Sequence, residues 1–234
     1  MHPRWIWLIA VLCGSSCMIN TTPAGPMQTD SRSIPRDASE SARVDLRMGA
    51  GELRMGGGAP ELMRADFRYN VASWKPEVRY SSAAGRANLT IEQPDSGHTG
   101  LGNTRNEWDL RLNDEIPADI MVRFGAGEAR LSLGSLSLRS IEIEIGAGEL
   151  DLDLRGTPRR DYDVRIRGGA GEATVHLPPN VGVYARAEGG LGEIQVRGLR
   201  REGQHWVSEG YDSAKVQIHL DVRGGVGQIN LLAE

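Results

Sequence analysis

Cysteine is nearly absent. The 234 residues hold two, Cys13 and Cys17. A chain cut before Cys17 keeps at most one thiol, which excludes an internal disulfide, a cysteine metal cluster and dithiol exchange. Aromatic residues make up only 5%, so a core must be aliphatic. Positive charge is not in excess: 27 Lys and Arg stand against 31 Asp and Glu, for a net charge of −4. That balance argues against a nucleic-acid partner, which needs clustered basic residues. Long apolar runs are missing too. The stretch Trp5 to Cys13 falls short of the about 20 residues of a membrane-spanning helix. What the chain has in quantity is glycine, 30 residues, alongside 39% hydrophobic residues spaced too regularly for a disordered chain.

Residues 1–17 read as a leader. Arg4 supplies positive charge, Trp5 to Cys13 the apolar run, and Gly14-Ser15-Ser16 a small-residue cleavage zone. Cys17 follows that zone as in bacterial lipoprotein signals, although Gly14 stands where such signals carry Leu. Two outcomes stay open: acylation at Cys17, or cleavage nearby with a soluble product. Either places the mature protein in the periplasm or anchored in the envelope. Residues 18–40 are rich in Thr, Ser, Pro and Asp without apolar periodicity and read as a flexible tether.

From residue 41 a short motif recurs. Gly-x-Gly-Glu stands at Gly49–Glu52, Gly125–Glu128, Gly146–Glu149, Gly169–Glu172 and Gly190–Glu193, with a last copy, Gly225–Gln228, and a worn one, Ala83–Arg86. The middle copies start 21, 23 and 21 residues apart. Apolar residues stand five and three places before each motif, as at Ile141 and Ile143, and four and six places after its start, as at Leu150 and Leu152. A spacing of two means strands with one buried face. The inward phase switches across the motif, so a flat strand would turn its second half inside out. The chain must bend there, and the second glycine of each motif, at Gly51, Gly127, Gly148, Gly171, Gly192 and Gly227, is the natural corner.

Corners recurring between short strands predict an all-β solenoid with coils of about 21 residues, each stacked in parallel on the one before. The N-terminal part runs over 41–118 and the motif-bearing coils over 119–234. If coils stack in chain order, the outward residues two places before the motif alternate in sign: Arg123, Glu144, Arg167, Glu188, Arg223. Arg130 and Asp151 should likewise oppose each other.

The segment Val44-Asp45-Leu46-Arg47-Met48-Gly49-Ala50-Gly51-Glu52-Leu53, with Ala65–Asn70, Trp74–Val78 and Leu89-Thr90-Ile91, resembles the bacterial toast-rack family, which is related to the LiaF-like cell-wall-active antibiotic response proteins. The resemblance covers roughly residues 41–234. It implies a right-handed, single-stranded β-helix in the cell envelope and supplies no catalytic residues. Some relatives join the domain to membrane helices and regulate envelope stress; this sequence has no such helices after the leader.

Chemistry-bearing residues are sparse. Glu128, Glu149, Glu172 and Glu193, with Glu52, are a candidate ladder; calcium is the cation such oxygens would suit. Their plainer roles are to splay into water, pair with Arg or accept backbone N–H groups. His98, His176, His205 and His219 lack metal-ligand spacing. Glycoside chemistry needs two convergent carboxylates; Asp151 with Asp153, or Asp109 with Asp114 and Glu115, are the pairs to test. Trp74, Trp108, Trp206 and Tyr211 lie between motif copies, as end caps or as an aromatic patch. No cofactor is implied. The expectation is a non-enzymatic envelope module binding another envelope protein or cell-wall glycan. The alternatives are a carbohydrate-active enzyme on a β-helix and an assembly subunit betrayed by an uncovered sheet edge.

Overall fold

Backbone pairing carries this fold. A computed structural model describes residues 24–94 and 103–234; the leader, Cys17 and His98 lie outside them. Among the described residues there are thirteen strands and no α-helix. The N-terminal part contains β1 (Gln28–Ile34), β2 (Ser41–Gly56), β3 (Met63–Tyr69), β4 (Glu77–Ala83), β5 (Arg86–Glu92) and β6 (Asn106–Leu112). It is followed by β7 (Ala118–Ser132), β8 (Leu138–Asp153), β9 (Tyr162–Leu177) and β10 (Gly182–Arg197). The short hairpin β11 (Arg200–Glu202) and β12 (His205–Val207) precedes the last strand, β13 (Gln217–Ala233).

Each motif copy lies inside one long strand rather than between two short ones. β2, β7, β8, β9, β13 and β10 stack in that order, in parallel, with their glycine pairs in register. Each strand bends at its second glycine, where φ lies between +121 and +147. The bend divides the strand into two arms that enclose the core. The inner face before it holds Val44, Leu46, Ile120, Val122, Ile141 and Ile143; the inner face after it holds Leu53, Met55, Leu131, Leu150 and Leu152, all buried. The phase switch read from the sequence is therefore the geometric signature of the bend.

The stack does not follow chain order at its end. β13 is inserted between β9 and β10, so Val164 faces Leu220 and Leu220 faces Ala185. This corrects the expected alternation of charge. In space the series is Arg123, Glu144, Arg167, Arg223, Glu188. Glu144 still bridges Arg123 at 3.4 Å and Arg167 at 3.5 Å, and Glu188 lies 4.0 Å from Arg223, but Arg167 and Arg223 are neighbours. Four places before the motif the true order does alternate: Glu142, Arg165, Asp221, Arg186. That column would set Arg165 beside Arg186 if the strands stacked in chain order, and it favours the swap. Arg130 does oppose Asp151, although its ion pair is with Glu128 of its own strand.

Two further readings are corrected. Residues 18–40 are not all tether: β1 pairs antiparallel with β3. Strand pairing is a backbone matter, and an exposed edge strand needs no apolar period. The worn copy at Ala83–Arg86 is the turn of the β4–β5 hairpin, with positive φ at Ala84 and Gly85, and not a rung.

Candidate functional site

The two ends of the stack are finished differently. At the N-terminal end both arms of β2 are covered. β5 pairs with residues 41–47 and β6 with residues 52–56. The bend between them is capped by side chains: Gln93 Oε1 accepts from the Gly49 N–H at 2.9 Å, and Asn106 Nδ2 donates to the Ala50 carbonyl at 3.0 Å. Asn106 also donates to Gln93 at 2.9 Å and accepts from Trp108 Nε1 at 2.9 Å. Trp108 stacks edge-on against Phe67, ring centres 5.3 Å apart, beneath this cap.

At the other end β10 is the last long strand. Its outer edge pairs with β12 only at Tyr184 and Ala185. From Arg186 to Arg197 no strand among the described residues covers it. Exposed apolar side chains gather at this end. The middle residue of the motif runs Ala50, Ala126, Ala147, Ala170, Val226, Leu191 along the stack; Val226 is 55% exposed and Leu191 73%. Such paired exposure at a bend is unlike isolated surface hydrophobics, which need no explanation.

Inside the same bend the packing thins. The residue before the motif is Met48, Phe124 and Ile145 in β2, β7 and β8, all buried. In β9, β13 and β10 it is Gly168, Gly224 and Gly189. The missing side chains leave a hollow of about 70 Å³, lined by Ile145, Ile166, Ile194, Val222 and Ile229 beside these glycines. A Cβ on Gly168 would meet its nearest neighbour, Ile145, at 3.7 Å, and one on Gly189 would meet Ile194 at 3.8 Å. Both distances are ordinary van der Waals contacts, so there is room for a side chain at these two positions; at Gly224 a Cβ would meet Ile229 at 3.2 Å, and that side chain would have to shift.

The glutamate column is in register but broken. Glu52, Glu128, Glu149 and Glu172 are consecutive; Gln228 then separates Glu172 from Glu193. Glu52 pairs with Arg54 at 3.1 Å, Glu128 with Arg130, and Glu172 accepts from Asn230 at 2.8 Å. Among the described residues no three His, Cys, Asp or Glu side chains converge as a metal site.

The carboxylates considered for glycoside chemistry are dispersed. Asp153 pairs with Arg155 at 2.8 Å and Asp151 lies 3.5 Å from His176. Asp109 pairs with Arg111 at 3.3 Å, Asp114 accepts from Ser135 at 2.8 Å, and Glu115 pairs with Arg36 at 2.5 Å. The Arg155 guanidinium holds the Asp153 carboxyl below its ordinary value. Trp74 and Trp108 are buried. The remaining aromatics form a cluster outside β10 and β13. Tyr184 stacks on His205 with centres 4.5 Å apart, and Tyr211 meets His219 Nε2 at 3.0 Å. His219 Nδ1 lies 3.4 Å from Asp163. Arg201 lies 5.7 Å from the Trp206 ring centre. Burial, then the Asp212 carboxylate, pushes the Tyr211 phenol up. The rings stack on one another and on the hairpin, which covers only the start of β10 and leaves the rest of its first arm and the bend open. Sequence reading singled out Trp206 and Tyr211 but not the open bend, whose only signal was glycine in place of Met, Phe or Ile before three motif copies.

No curated protein matches the sequence. A crystal structure of a candidate cell adhesion protein from Clostridium sporogenes is similar at 33% identity, covering 89% of this chain and 100% of its own, with a TM-score of 0.87. A candidate adhesin from Bacteroides fragilis overlaps 91% of this chain and 99% of its own at 9% identity, with a TM-score of only 0.33. The model of the C-terminal part of LiaF, a cell wall-active antibiotics response protein, matches residues 126–231. The model of the N-terminal domain of toast-rack proteins matches residues 23–176, and the chain belongs to that family.

Proposed function

We propose that this protein is a non-enzymatic module of the bacterial cell envelope, a stiff β-solenoid that holds a partner at the uncapped end of its stack. The observation that carries this is the asymmetry of the two ends. β2 is sealed by two strands and two amide side chains, while β10 leaves its edge uncovered from Arg186 to Arg197, beside Leu191 and Val226. An exposed edge of that length is an aggregation hazard unless something covers it. The family match and the candidate adhesion protein support an envelope setting and a binding role rather than a catalytic one. The spread of carboxylates, each beside a basic or hydroxyl partner, adds to that.

The leader supports export, and acylation of Cys17 would tie the module to a membrane. Among the described residues no helix is long and apolar enough to cross one. Labelling cells with palmitate, with Cys17→Ala as control, tests the anchor. The binding role is tested by placing a photo-crosslinking residue at position 191 in living cells, with position 54 at the sealed end as control. A discrete adduct from position 191 and none from position 54 supports the reading. Equal adducts, or none from 191, overturn it.

A further inference from the structure

The open edge and the hollow belong to one rung and invite one occupant. In β2 the equivalent edge is covered by parallel strands: β5 along one arm and β6 along the other. In β7 the residue before the motif is Phe124, which fills the bend from within. β10 has neither a covering strand nor a filling side chain. We propose that an extended segment of a different polypeptide adds to β10 as a parallel strand and sets one bulky apolar side chain, at the level of Gly189, into the hollow. This inference rests on the docking role proposed above and names its chemistry.

The geometry also describes the segment. Residues 186–192 are free to pair, and alternate backbone N–H and C=O groups of an edge strand face outward. Outward from β10 on either side of the bend stand Glu188 and Glu193. Glu193 has no ion-pair partner among the described residues, and Glu188 reaches Arg223 only at 4.0 Å. A segment with basic residues opposite these two, and an apolar residue next to the first, meets both the charge and the cavity. Where the segment passes the bend it needs glycine. A Cβ at the first glycine of a rung points at the carbonyl of the rung before, as Gly190 does toward Gly225. The hollow is lined mainly by aliphatic side chains and backbone, so water gains little there and an apolar side chain is the better filler.

A second copy of this chain is a poor occupant. Docked head to tail, it would not find the bent edge of β2, which β5, β6, Gln93 and Asn106 occupy; it would meet β1 or β4, edge strands of seven residues each that cannot follow β10 around its bend. Paired antiparallel, β10 on β10, with Ala187 and Ile194 both kept on the inner face, it would press Glu188 against Glu193 of the other copy.

The probe is a synthetic peptide carrying residues 121–131 with the change Glu128→Lys. Aligned with β10, its Arg123 falls opposite Glu188, its Phe124 opposite Gly189 and the substituted position 128 opposite Glu193. Binding to the mature protein is followed by calorimetry. The proposal expects saturable binding with a Kd below about 100 μM, in the range of short strand-adding peptides. Replacing Phe124 by Gly in the peptide should weaken binding tenfold or more. Replacing Arg123 by Glu should weaken it too, and Glu188→Lys in the protein should restore that second peptide. Gly189→Leu should fill the hollow from within and abolish the preference for Phe; because the peptide variants leave the protein untouched, the test stands even if that variant folds badly. No binding, equal binding of the Phe and Gly peptides, or a protein that sediments as a stable dimer through β10 would overturn the proposal. Crosslinking at position 191 with no peptide binding would leave the docking role standing and remove strand addition as its form.

Discussion

Gly148 faces the carbonyl oxygen of Gly127 so closely that a β-carbon would lie under 3.0 Å from it. The same residue has a φ of +121, so it is glycine for two reasons at once, space and backbone angle. The first glycine of its motif, Gly146, needs only the space, toward the Gly125 carbonyl. Gly148→Ala should therefore cost about 3 kcal/mol through backbone strain and clash. In thermal unfolding that is a fall of about 6–12 °C in Tm. A fall under about 2 °C would mean that the rungs are not held this close.

Gly168 is the opposite case. It has no left-handed φ and its Cβ would sit 3.7 Å from Ile145. Gly168→Ala should stabilise the protein by about 0.5–1 kcal/mol, by restricting the unfolded chain and filling part of the hollow. Chemical denaturation with an unchanged slope and a raised midpoint is the expected result.

Asn106 links three groups at the sealed end: the Ala50 carbonyl, Gln93 and the Trp108 indole. Asn106→Ala strands a buried indole N–H and opens the cap over β2. The expected loss is about 2–3 kcal/mol, with the Trp108 fluorescence shifted as water reaches the ring. An unchanged denaturation midpoint would show that the cap contributes nothing.

Acid should weaken the fold in part through Asp153. Its carboxyl titrates below the ordinary value of 3.8, chiefly because the Arg155 side chain donates to it. A group whose folded value is depressed adds stability above its unfolded value and loses it as pH falls toward the folded one. From about pH 4 downward, Asp153→Asn should flatten the fall of Tm with pH relative to the unchanged protein, while the two run parallel above about pH 6. Parallel curves below about pH 4 would deny Asp153 this role.

Much of the fold was legible because burial in a solenoid is periodic. The inward pairs such as Ile141 with Ile143 and Leu150 with Leu152, the bend and its phase switch all follow from spacing. The order of the last rungs was not. Stacking in chain order is the default, and the column of Arg123, Glu144, Arg167 and Glu188 happened to fit it; the column of Arg165, Asp221 and Arg186 pointed to the swap. β1 escaped because its pairing with β3 rests mainly on backbone, with Ser31 donating to Asp66 and Ile34 touching the core but no apolar period to announce it. The candidate site was hidden for a related reason. An uncovered edge is a property of what lies beside a strand, and nothing in residues 186–197 states that no neighbour follows. Only the change from Phe124 and Ile145 to Gly168, Gly189 and Gly224 marked the hollow beforehand.

The difference between the two ends of the stack is what the functional account depends on, and backbone amide exchange followed residue by residue by NMR measures it directly. In the isolated protein, every second amide from Ala187 to Arg197 should exchange at the rate of an unprotected chain, while its neighbours on the β13 side, and the amides of β2 around Gly49 and Ala50, stay protected. Uniform protection along β10, equal to that of β2, would mean that its edge is already covered and would contradict the account.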